Sequence, residues 1–491
     1  MPSFRSSPLL SVSLFTTILQ LSVTTTAQQV GTTVPEVHPL LPTELCTASD
    51  GCTARQTLLV ADALNGARPF HSLVDPSVSC SASEALNDTS LCPDAATCAR
   101  NCALEGIDYG SIGVATRGNA VTLRQYLFNG EVYESVSPRV YLLAEDGENY
   151  EGLKLLNQEL TFDVDVSRLG CGMNGALYLS EMGLDGGRSE TNPAGARYGT
   201  GYCDAQCFTN VPWINGLPNL NASGACCNEM DIWEANSQAN VFTPHTCSGI
   251  GSFLCSGDEC VRTEAGSGVC DKDGCGINTF ALGTPNFYGP GLTVDSSRPF
   301  TIVTQFLTND NTSTGTLSEI RRLYIQDGNI IPNTAETTND AVRNIPNGFE
   351  GAVTEDYCTA RDASDFLRLG GMGGMGESLA RGMVLVMSIW NSPGDFMSWL
   401  DGGDNGPCNA TAGDPQRIVE LTPDVSVTFS NIRWGDIGST FNASSGGDSE
   451  NVVAGKAVAA ESGAGIAQGT PIGLMTGTVV GLAVLLGAFL S

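Results

Sequence analysis

Cysteine content is the feature that most restricts the folds open to this 491-residue chain. All eighteen cysteines lie between Cys46 and Cys408. Their even number, high density and irregular spacing predict disulfide bonds and folding in an oxidising compartment. We therefore expect a cross-linked domain in this part of the chain, with no cross-link after Cys408.

Short apolar runs separated by turn residues recur along this part, and the chain contains 58 Gly and 23 Pro. In several runs apolar and polar residues alternate, which predicts strands joined by turns. We predict strands at residues 160–166, 176–181, 300–307, 322–326, 383–390 and 425–434. Helical periodicity is scarce and predicts short helices at residues 95–103 and 360–368. The sequence therefore predicts an all-β domain built as a sandwich of two sheets.

Acidic residues far outnumber basic ones, which gives a formal net charge of −30 and a pI near 4.2. This charge argues against nucleic acid and anionic membrane surfaces as partners, because both are negatively charged. It suits a neutral substrate or an acidic medium, and carboxyl groups dominate any response to pH.

The N-terminus predicts secretion. Arg5 precedes an apolar stretch at residues 9–23, and small residues before Gln28 offer a cleavage site, so residues 1–27 are predicted to be a signal peptide. Five glycosylation sequons fit a secreted glycoprotein. They are at Asn87, Asn221, Asn311, Asn409 and Asn442.

After Asn442 the chain becomes rich in Gly, Ala, Ser and Val, so residues 443–465 are predicted to be a linker. No charged residue follows Ser462 and Gly463, and an apolar tail ends the chain. This pattern predicts a glycosylphosphatidylinositol (GPI) attachment signal at residues 466–491, with Ser462 or Gly463 as the anchor residue. The alternative is a transmembrane helix, which would usually carry Lys or Arg on its cytoplasmic flank, whereas only Ser491 follows this tail.

The run EMDIWE, residues 229–234, places three carboxyl groups among apolar side chains. In a strand, Glu229 and Asp231 share a face, and Glu234 joins them only if a one-residue bulge re-aims it. Such crowding raises at least one pKa, and a glycosidase needs one ionised and one protonated carboxyl group. Two carboxyl groups on one short segment can also reach the separation of about 5–5.5 Å that a retaining mechanism requires. An acidic strand edge or a calcium site remains an open alternative.

Tryptophans are candidates for sugar binding because sugars stack on flat rings, although a tryptophan at a strand end or in a loop is more often explained by half-buried packing. The histidines show no metal-ligand spacing, and no nucleotide-binding motif occurs, so we predict no metal and no cofactor. The histidines are His38, His71 and His245. His245 either holds Glu234 by a hydrogen bond or is a structural loop residue.

Longer motifs occur together in this chain. They are YGTGYCDAQC (198–207), CCNEMDIWEAN (226–236), TPH (243–245), FYGPG (287–291), GMVLVMSIW (382–390) and FSNIRWGDIGST (429–440). On these motifs, residues 28–442 resemble glycoside hydrolase family seven, the fungal cellulases. The resemblance implies a concave β-jelly-roll sandwich of two antiparallel sheets, with long loops that form an open substrate cleft. It also implies a double-displacement mechanism that retains the anomeric configuration.

The same motifs imply roles for individual residues. Glu229 would be the nucleophile and Glu234 the acid/base, while Asp231 would orient Glu229 or share its proton. His245 would lie beside the acid/base. Trp390 would stack on the sugar before the scissile bond and Trp399 on the sugar after it. The other implied sugar contacts, on the glycone side, are Tyr178, Asn174, Asp204 and Gln206.

The resemblance also implies a disulfide pairing that leaves no cysteine over. The implied pairs are Cys46–Cys52, Cys80–Cys102, Cys92–Cys98, Cys171–Cys408, Cys203–Cys227, Cys207–Cys226, Cys247–Cys270, Cys255–Cys260 and Cys275–Cys358.

Loop lengths separate the two branches of the family, because cellobiohydrolases roof the cleft and endoglucanases leave it open. Residues 217–225 and 400–415 are short, as in endoglucanases. Residues 255–270 are longer and keep a cellobiohydrolase-like cysteine pair, which predicts partial cover on one side. Residues 62–71 lack the two tryptophans that the family usually places there, which predicts a weak grip on long or crystalline chains.

The sequence thus predicts an extracellular, GPI-anchored, monomeric endo-β-1,4-glucanase, held at the plasma membrane or cell wall and acting on cellulose and related β-glucans. It would touch the membrane only through its lipid anchor. The alternatives are a cellobiohydrolase, a hydrolase that remodels fungal wall β-glucan, and a non-catalytic glucan-binding wall protein. The last is disfavoured because a lectin has no need of Glu229, Asp231 and Glu234 together.

Overall fold

The computed structural model describes residues 28–81, 86–261 and 266–441. The predicted signal peptide at residues 1–27, the sequon at Asn442, the linker, the anchor candidates Ser462 and Gly463 and the C-terminal tail lie outside the described residues. Within the described ranges, no helix is both long enough and apolar enough to cross a membrane.

One large sheet has seven strands and is called the cleft sheet below. All of its strand pairs are antiparallel. In spatial order its main strands are Asn240–His245, Glu229–Ala235, Asn174–Ser180, Met383–Trp390, Arg139–Leu143 and Leu58–Ala61, and Gly152–Leu153 pairs with Met383–Trp390.

The second large sheet has nine strands and is called the outer sheet. Its main strands, in spatial order, are Asn329–Pro332, Leu317–Gln326, Phe300–Thr308, Gln158–Asp165, Ser426–Asp436, Thr43–Thr47 and Gly51–Arg55. Ala120–Arg124 pairs with Ser426–Asp436, and Val114–Arg117 pairs with Ala120–Arg124. The resemblance implied antiparallel pairing throughout, but Thr43–Thr47 runs parallel to Ser426–Asp436.

Short strands and helices occupy the connections between the sheets. The short strands are Gln29–Val30, Phe70–Ser72, Cys102–Leu104, Tyr126–Phe128, Tyr133–Ser135, Trp213–Ile214, Leu217–Pro218, Gly224–Cys226, Phe253–Cys255, Tyr288–Gly289 and Val294–Asp295. The α-helices are Ala95–Asn101, Asp340–Arg343, Glu355–Ala360, Ser364–Arg368, Gly371–Arg381, Ser398–Asp401 and Pro415–Leu421. The 3₁₀ helices are Tyr109–Ile112, Ala196–Tyr198 and Gly257–Cys260.

The main core contains side chains from both large sheets. Leu177 and Met387 of the cleft sheet are fully buried in the same cluster as Phe162 and Phe429 of the outer sheet. The Phe162 and Phe429 rings meet edge to face with centroids 6.0 Å apart, a favourable aromatic geometry. Because successive side chains of a strand point to opposite faces, the alternate residues of the cleft sheet point away from this core. Some of them, including Val60, Tyr141 and Val384, are buried in a second, smaller cluster, and the rest of that face is available for a site.

The predicted all-β class and the six predicted strands are confirmed. The helix predicted at residues 95–103 ends at Asn101, because Cys102–Leu104 pairs with Phe70–Ser72 as a strand. The helix predicted at residues 360–368 is wrong in its bounds, since helices end at Ala360 and begin again at Ser364.

The longest α-helix in the described ranges, Gly371–Arg381, was not predicted. Its four glycines lower helix propensity, so the local sequence argues against a helix. It forms because Met372, Met375 and Leu379 fall on one face at helical spacing and are buried in the main core.

Nine disulfides are present, and they are the nine pairs implied by the resemblance. All eighteen cysteines lie in the described ranges and none is free. Two adjacent disulfides, Cys203–Cys227 and Cys207–Cys226, fix the segment 203–207 to the residues just before Glu229. That segment is thereby held beside the predicted catalytic strand.

Candidate active site

A cavity of about 1370 Å³ opens on the free face of the cleft sheet. Glu229, Asp231 and Glu234 line it, whereas Met230 and Ile232 of the same strand are buried in the main core. Neighbouring strands contribute Ala176, Tyr178, Val241, Thr243, His245, Ser388 and Trp390 to the lining. The three carboxyl groups therefore share one wall of one large cavity.

A bulge in the strand Glu229–Ala235 brings Glu234 to this wall. Leu177 pairs with Trp233, whereas Leu179 pairs with Met230, so the catalytic strand has one residue more than its partner between these pairs. The same shift occurs against the strand on its other side. Ile232 and Trp233 consequently both face the core, and Glu234 returns to the cavity. The one-residue bulge predicted from the sequence is confirmed.

A backbone N–H group of a neighbouring segment holds Glu229 in place. The N–H of Ala205 donates a hydrogen bond to Glu229 Oε2 at 3.0 Å. Ala205 belongs to the disulfide-fixed segment 203–207, so the two cysteine bridges determine where this donor lies. A fixed donor orients the carboxylate without neutralising it.

His245 contacts Asp231. Its Nε2 lies 3.1 Å from Asp231 Oδ2, and its Nδ1 lies 3.2 Å from the backbone oxygen of Asp271. A carbonyl oxygen only accepts, so Nδ1 carries a hydrogen, and one further proton must lie between Nε2 and Asp231. The sequence analysis left open a hydrogen bond from His245 to Glu234. The ring instead bonds Asp231.

Asn174 supports Glu234. Its Nδ2 donates to Glu234 Oε1 at 2.9 Å, and its Oδ1 accepts from the N–H of Ala235 at 3.0 Å. Asn174 is fully buried, and both ends of its amide are used by the catalytic strand. The resemblance implied a sugar contact for Asn174, but the structure makes it a positioning residue for Glu234.

Burial and crowding raise the pKa values of the carboxyl groups at this wall. The pKa of Glu229 is well above its usual range, because the group is buried and Asp231 and Asp204 lie near it. Burial and Asp204 raise the pKa of Asp231 to about 8. Burial and Asp231 raise the pKa of Glu234 to about 8. The cluster therefore retains protons at neutral pH, as a general acid requires.

The segment 203–207 brings two further predicted residues to the cavity, Asp204 and Gln206. Burial raises the pKa of Asp204, which accepts a hydrogen bond from the N–H of Cys207 at 2.9 Å. Gln206 Nε2 donates to the backbone oxygen of Lys272 at 3.0 Å. Both residues reach the cavity as predicted, and their contact with sugar remains a prediction.

Three cavity-lining residues were missed in the sequence analysis. Lys272 Nζ donates to the backbone oxygens of Ala205 at 2.8 Å and Gln206 at 2.6 Å, and so braces the segment that holds Glu229. The Arg139 guanidinium lies 3.4 Å from the centroid of the Tyr202 ring. The Tyr202 hydroxyl is 2.9 Å from that of Tyr178. The usable signal was Arg139, the one charged residue of an otherwise apolar strand, RVYLL.

Trp390 and Trp399 both line the cavity. Their ring centroids are 6.3 Å apart with an interplanar angle of 27°, so the two rings form one nearly parallel pair. Trp399 is 38% exposed. The predicted roles before and after the scissile bond remain predictions.

Two groups of potential metal ligands occur in the described ranges, and both contain cysteines that are in disulfides. A disulfide sulfur is not a thiolate and does not bind metal as one. The groups are Cys207 with Cys226 and Cys270, and Asp401 with Cys171 and Cys408.

Four of the five sequons lie in the described ranges, and each asparagine is exposed, as glycosylation requires. They are Asn87, Asn221, Asn311 and Asn409. Whether they carry glycans remains a prediction.

Comparisons with known proteins give the family of this fold and site. The chain is 59% identical over 415 residues to a protein of Aspergillus terreus named "Probable endo-beta-1,4-glucanase celB", covering 84% of this chain and 94% of that protein. It is 44% identical to a solved endocellulase Cel7B of Humicola insolens, with a TM-score of 0.77 over 84% of this chain and 100% of that one. A solved "endoglucanase I complexed with cellobiose" is 45% identical, with a TM-score of 0.77 and the same coverage. Residues 30–441 match the family model described as "Glycosyl hydrolase family 7", and this chain therefore belongs to that family of glycoside hydrolases.

Proposed function

We propose that this protein is a retaining endo-β-1,4-glucanase. The observation that carries the proposal is the wall where Glu229, Asp231 and Glu234 meet over a cavity of about 1370 Å³. The names of the relatives support the choice of a β-1,4-glucan as the substrate. A chain of neutral glucose units also suits a protein with a net charge of −30.

In the first step, Glu229 attacks the anomeric carbon while Glu234 gives its proton to the departing glycosidic oxygen. The pKa of Glu234, raised to about 8, fits a general acid, which must hold its proton at the working pH. Burial and the neighbouring carboxyl groups raise the pKa of Glu229 as well, but attack requires its ionised form, which the Ala205 N–H and His245 favour. A covalent glycosyl-enzyme results. In the second step, Glu234 takes a proton from water, whose oxygen attacks the same carbon and releases Glu229.

The roles of Asp231 and His245 follow from the proton that they share. When Glu229 is attached to sugar its charge is lost, and when it is released the charge returns beside Asp231. A proton held between Asp231 and His245 Nε2 lowers the repulsion that this charge meets. Asp231 is therefore a positioning and charge-tuning residue in this mechanism.

A hydrolysis assay with soluble cellulose derivative, mixed-linkage glucan, xyloglucan and β-1,3-glucan tests the proposal. We expect a rapid fall in viscosity with few new reducing ends on β-1,4-linked chains, which is the signature of internal cleavage. Release of cellobiose with little loss of viscosity would indicate a cellobiohydrolase instead. Preference for β-1,3-glucan would favour remodelling of the fungal wall, and binding without hydrolysis would indicate a lectin.

We also propose that the enzyme is secreted and GPI-anchored. The support is the N-terminal signal-peptide pattern, the nine disulfides, and the uncharged tail that follows Ser462 and Gly463. Phosphatidylinositol-specific phospholipase C should release the activity from membranes. If it releases nothing and the cell-associated protein keeps its C-terminus at Ser491, the tail is a transmembrane helix.

A further inference from the structure

An exposed pair of aromatic rings stands on a short two-stranded ribbon, residues 126–135, which is called the aromatic ribbon below. Phe128 is 58% exposed and Tyr133 is 39% exposed. The two residues are direct cross-strand partners, with ring centroids 5.2 Å apart and an interplanar angle of 49°. Adjacent large apolar side chains at this exposure commonly mark a binding surface.

The base of the aromatic ribbon is attached to the cleft. Gln125 Nε2 donates to Ser135 Oγ at 3.0 Å and to Asn391 Oδ1 at 3.1 Å. Asn391 Nδ2 donates to the Tyr126 hydroxyl at 2.9 Å. Asn391 directly follows Trp390, which lines the main cavity. The ribbon is therefore hydrogen-bonded to the strand end that carries a cavity tryptophan.

The aromatic ribbon adjoins the cavity wall. Glu134 and Ser135 line the cavity, and Tyr133 shares a ribbon face with Ser135 because the two are separated by one residue. Two residues of strand place Tyr133 about 7 Å beyond Ser135. The rings of Tyr133 and Phe128 thus lie next along the ribbon from side chains that line the cavity.

We propose that Phe128 and Tyr133 form an outer binding site for glucose units of a long β-glucan chain that protrudes from the cleft. Flat rings bind the C–H faces of sugars, and Phe128 and Tyr133 are both exposed. Residues 62–71 contain no tryptophan, so this exposed ring pair would be a separate contact for a long chain. This inference rests on the proposed function for its substrate class.

Packing alone offers a competing explanation, because cross-strand aromatic pairs stabilise β-ribbons. Three double variants separate the two. Phe128→Tyr with Tyr133→Phe exchanges the rings and keeps both flat faces. Phe128→Leu with Tyr133→Leu keeps apolar packing but removes the faces, and Phe128→Ala with Tyr133→Ala removes both.

The test compares a long soluble β-1,4-glucan with a short chromogenic cellobioside, and adds the thermal midpoint of each variant. The outer site predicts that KM for the long chain rises about fivefold in the leucine and alanine variants, with kcat and all kinetics on the short substrate unchanged. The ring-exchanged variant should match wild type. The leucine variant should show the full rise in KM even where its thermal midpoint is unchanged.

Equal effects on both substrates, or wild-type KM on the long chain in the leucine variant, would overturn the outer site alone. A wild-type protein that hydrolyses neither substrate would overturn the proposed function and the outer site together.

Discussion

Two buried carboxyl groups that line the same cavity, Asp62 and Asp231, have pKa values shifted in opposite directions. Asp62 accepts hydrogen bonds from Arg139 Nε at 2.8 Å, the Tyr141 hydroxyl at 2.6 Å and the N–H of Leu64 at 2.6 Å. Burial opposes ionisation of Asp62, yet these donors hold its pKa below the usual range. Asp231 is equally buried, but its carboxylate neighbour Asp204 and burial raise its pKa to about 8.

The contrast shows that burial does not by itself mark a catalytic carboxyl group. Asp62 has a cation and two neutral donors, so the folded protein favours its ionised form, and its contribution to stability is lost as the pH falls through its lowered pKa. The catalytic wall has crowded carboxyl groups, so the folded protein favours their protonated forms. Their effect on stability is most favourable in acid and is lost as the pH rises from the unfolded pKa, near 4, to about 8.

The largest expected effect comes from removing either catalytic carboxyl group. Glu229→Gln and Glu234→Gln should each lower kcat by at least about a thousandfold, because each removes a bond-forming or proton-transfer role. Neither should lower the free energy of unfolding, since glutamine keeps the size of the side chain and removes a group whose ionised form the folded protein disfavours. Steady-state kinetics and chemical denaturation at neutral pH measure the two quantities. Near-normal turnover in either variant would break the assignment.

Asp231→Asn should have a smaller effect on kcat and should move the pH profile. The Asp231 charge helps to raise the pKa of Glu234. Without that charge, the fall of kcat/KM on the alkaline side of the pH profile should occur about one pH unit lower. In the wild type, activity should fall as the pH rises through about 8, because Glu234 then loses its proton. An unchanged basic limb would show that the two carboxyl groups do not interact.

Asp62→Asn should act on stability. It removes the charge that the half-buried Arg139 pairs with, and the loss of a hydrogen bond to a charged group costs about 1–3 kcal/mol of unfolding free energy. The loss should be full at neutral pH and should shrink in acid, where Asp62 is protonated in the wild type as well. Denaturation at several pH values gives this profile. A loss of turnover without a loss of stability would place Asp62 with the catalytic wall.

The smallest expected effect is that of Asn174→Ala. The variant loses one hydrogen bond to Glu234, which corresponds to about a tenfold loss of kcat. That bond also favours the ionised form, so the pKa of Glu234 and the basic limb of kcat/KM should move upward. Asn174→Asp is the counterpart, because it replaces the donor by a second carboxylate. It should move the alkaline fall of kcat/KM to a still higher pH. A fall in stability with no movement of the limb would mean that Asn174 acts only through Ala235.

Much of the catalytic wall could be predicted because its three carboxyl groups lie within six consecutive residues of one strand. The alternation of a strand and the need for a bulge follow from six consecutive residues, and Trp233 enters the core as that bulge requires. The nine disulfides followed from the resemblance, since spacing alone does not fix which cysteines pair.

The partners that separate the two carboxyl sites could not be predicted. Arg139 meets Asp62, and Lys272 meets Ala205, from distant points of the sequence, and only the folded chain brings them together. The same holds for Asn174, whose role depends on two bonds to a neighbouring strand. The helix Gly371–Arg381 was missed because core contacts outweigh the low helix propensity of its glycines.

Covalent catalysis at Glu229 is the step on which the function of the crowded wall depends. A 2-deoxy-2-fluoro cellobioside with a good leaving group probes this step, because the fluorine slows the second half of the reaction and lets a glycosyl-enzyme accumulate. Mass spectrometry of the digested protein should then find one sugar adduct, on Glu229, and none in Glu229→Gln. An adduct on Asp231 or Glu234, or an active enzyme that stays unlabelled and releases products of inverted configuration, would contradict the account.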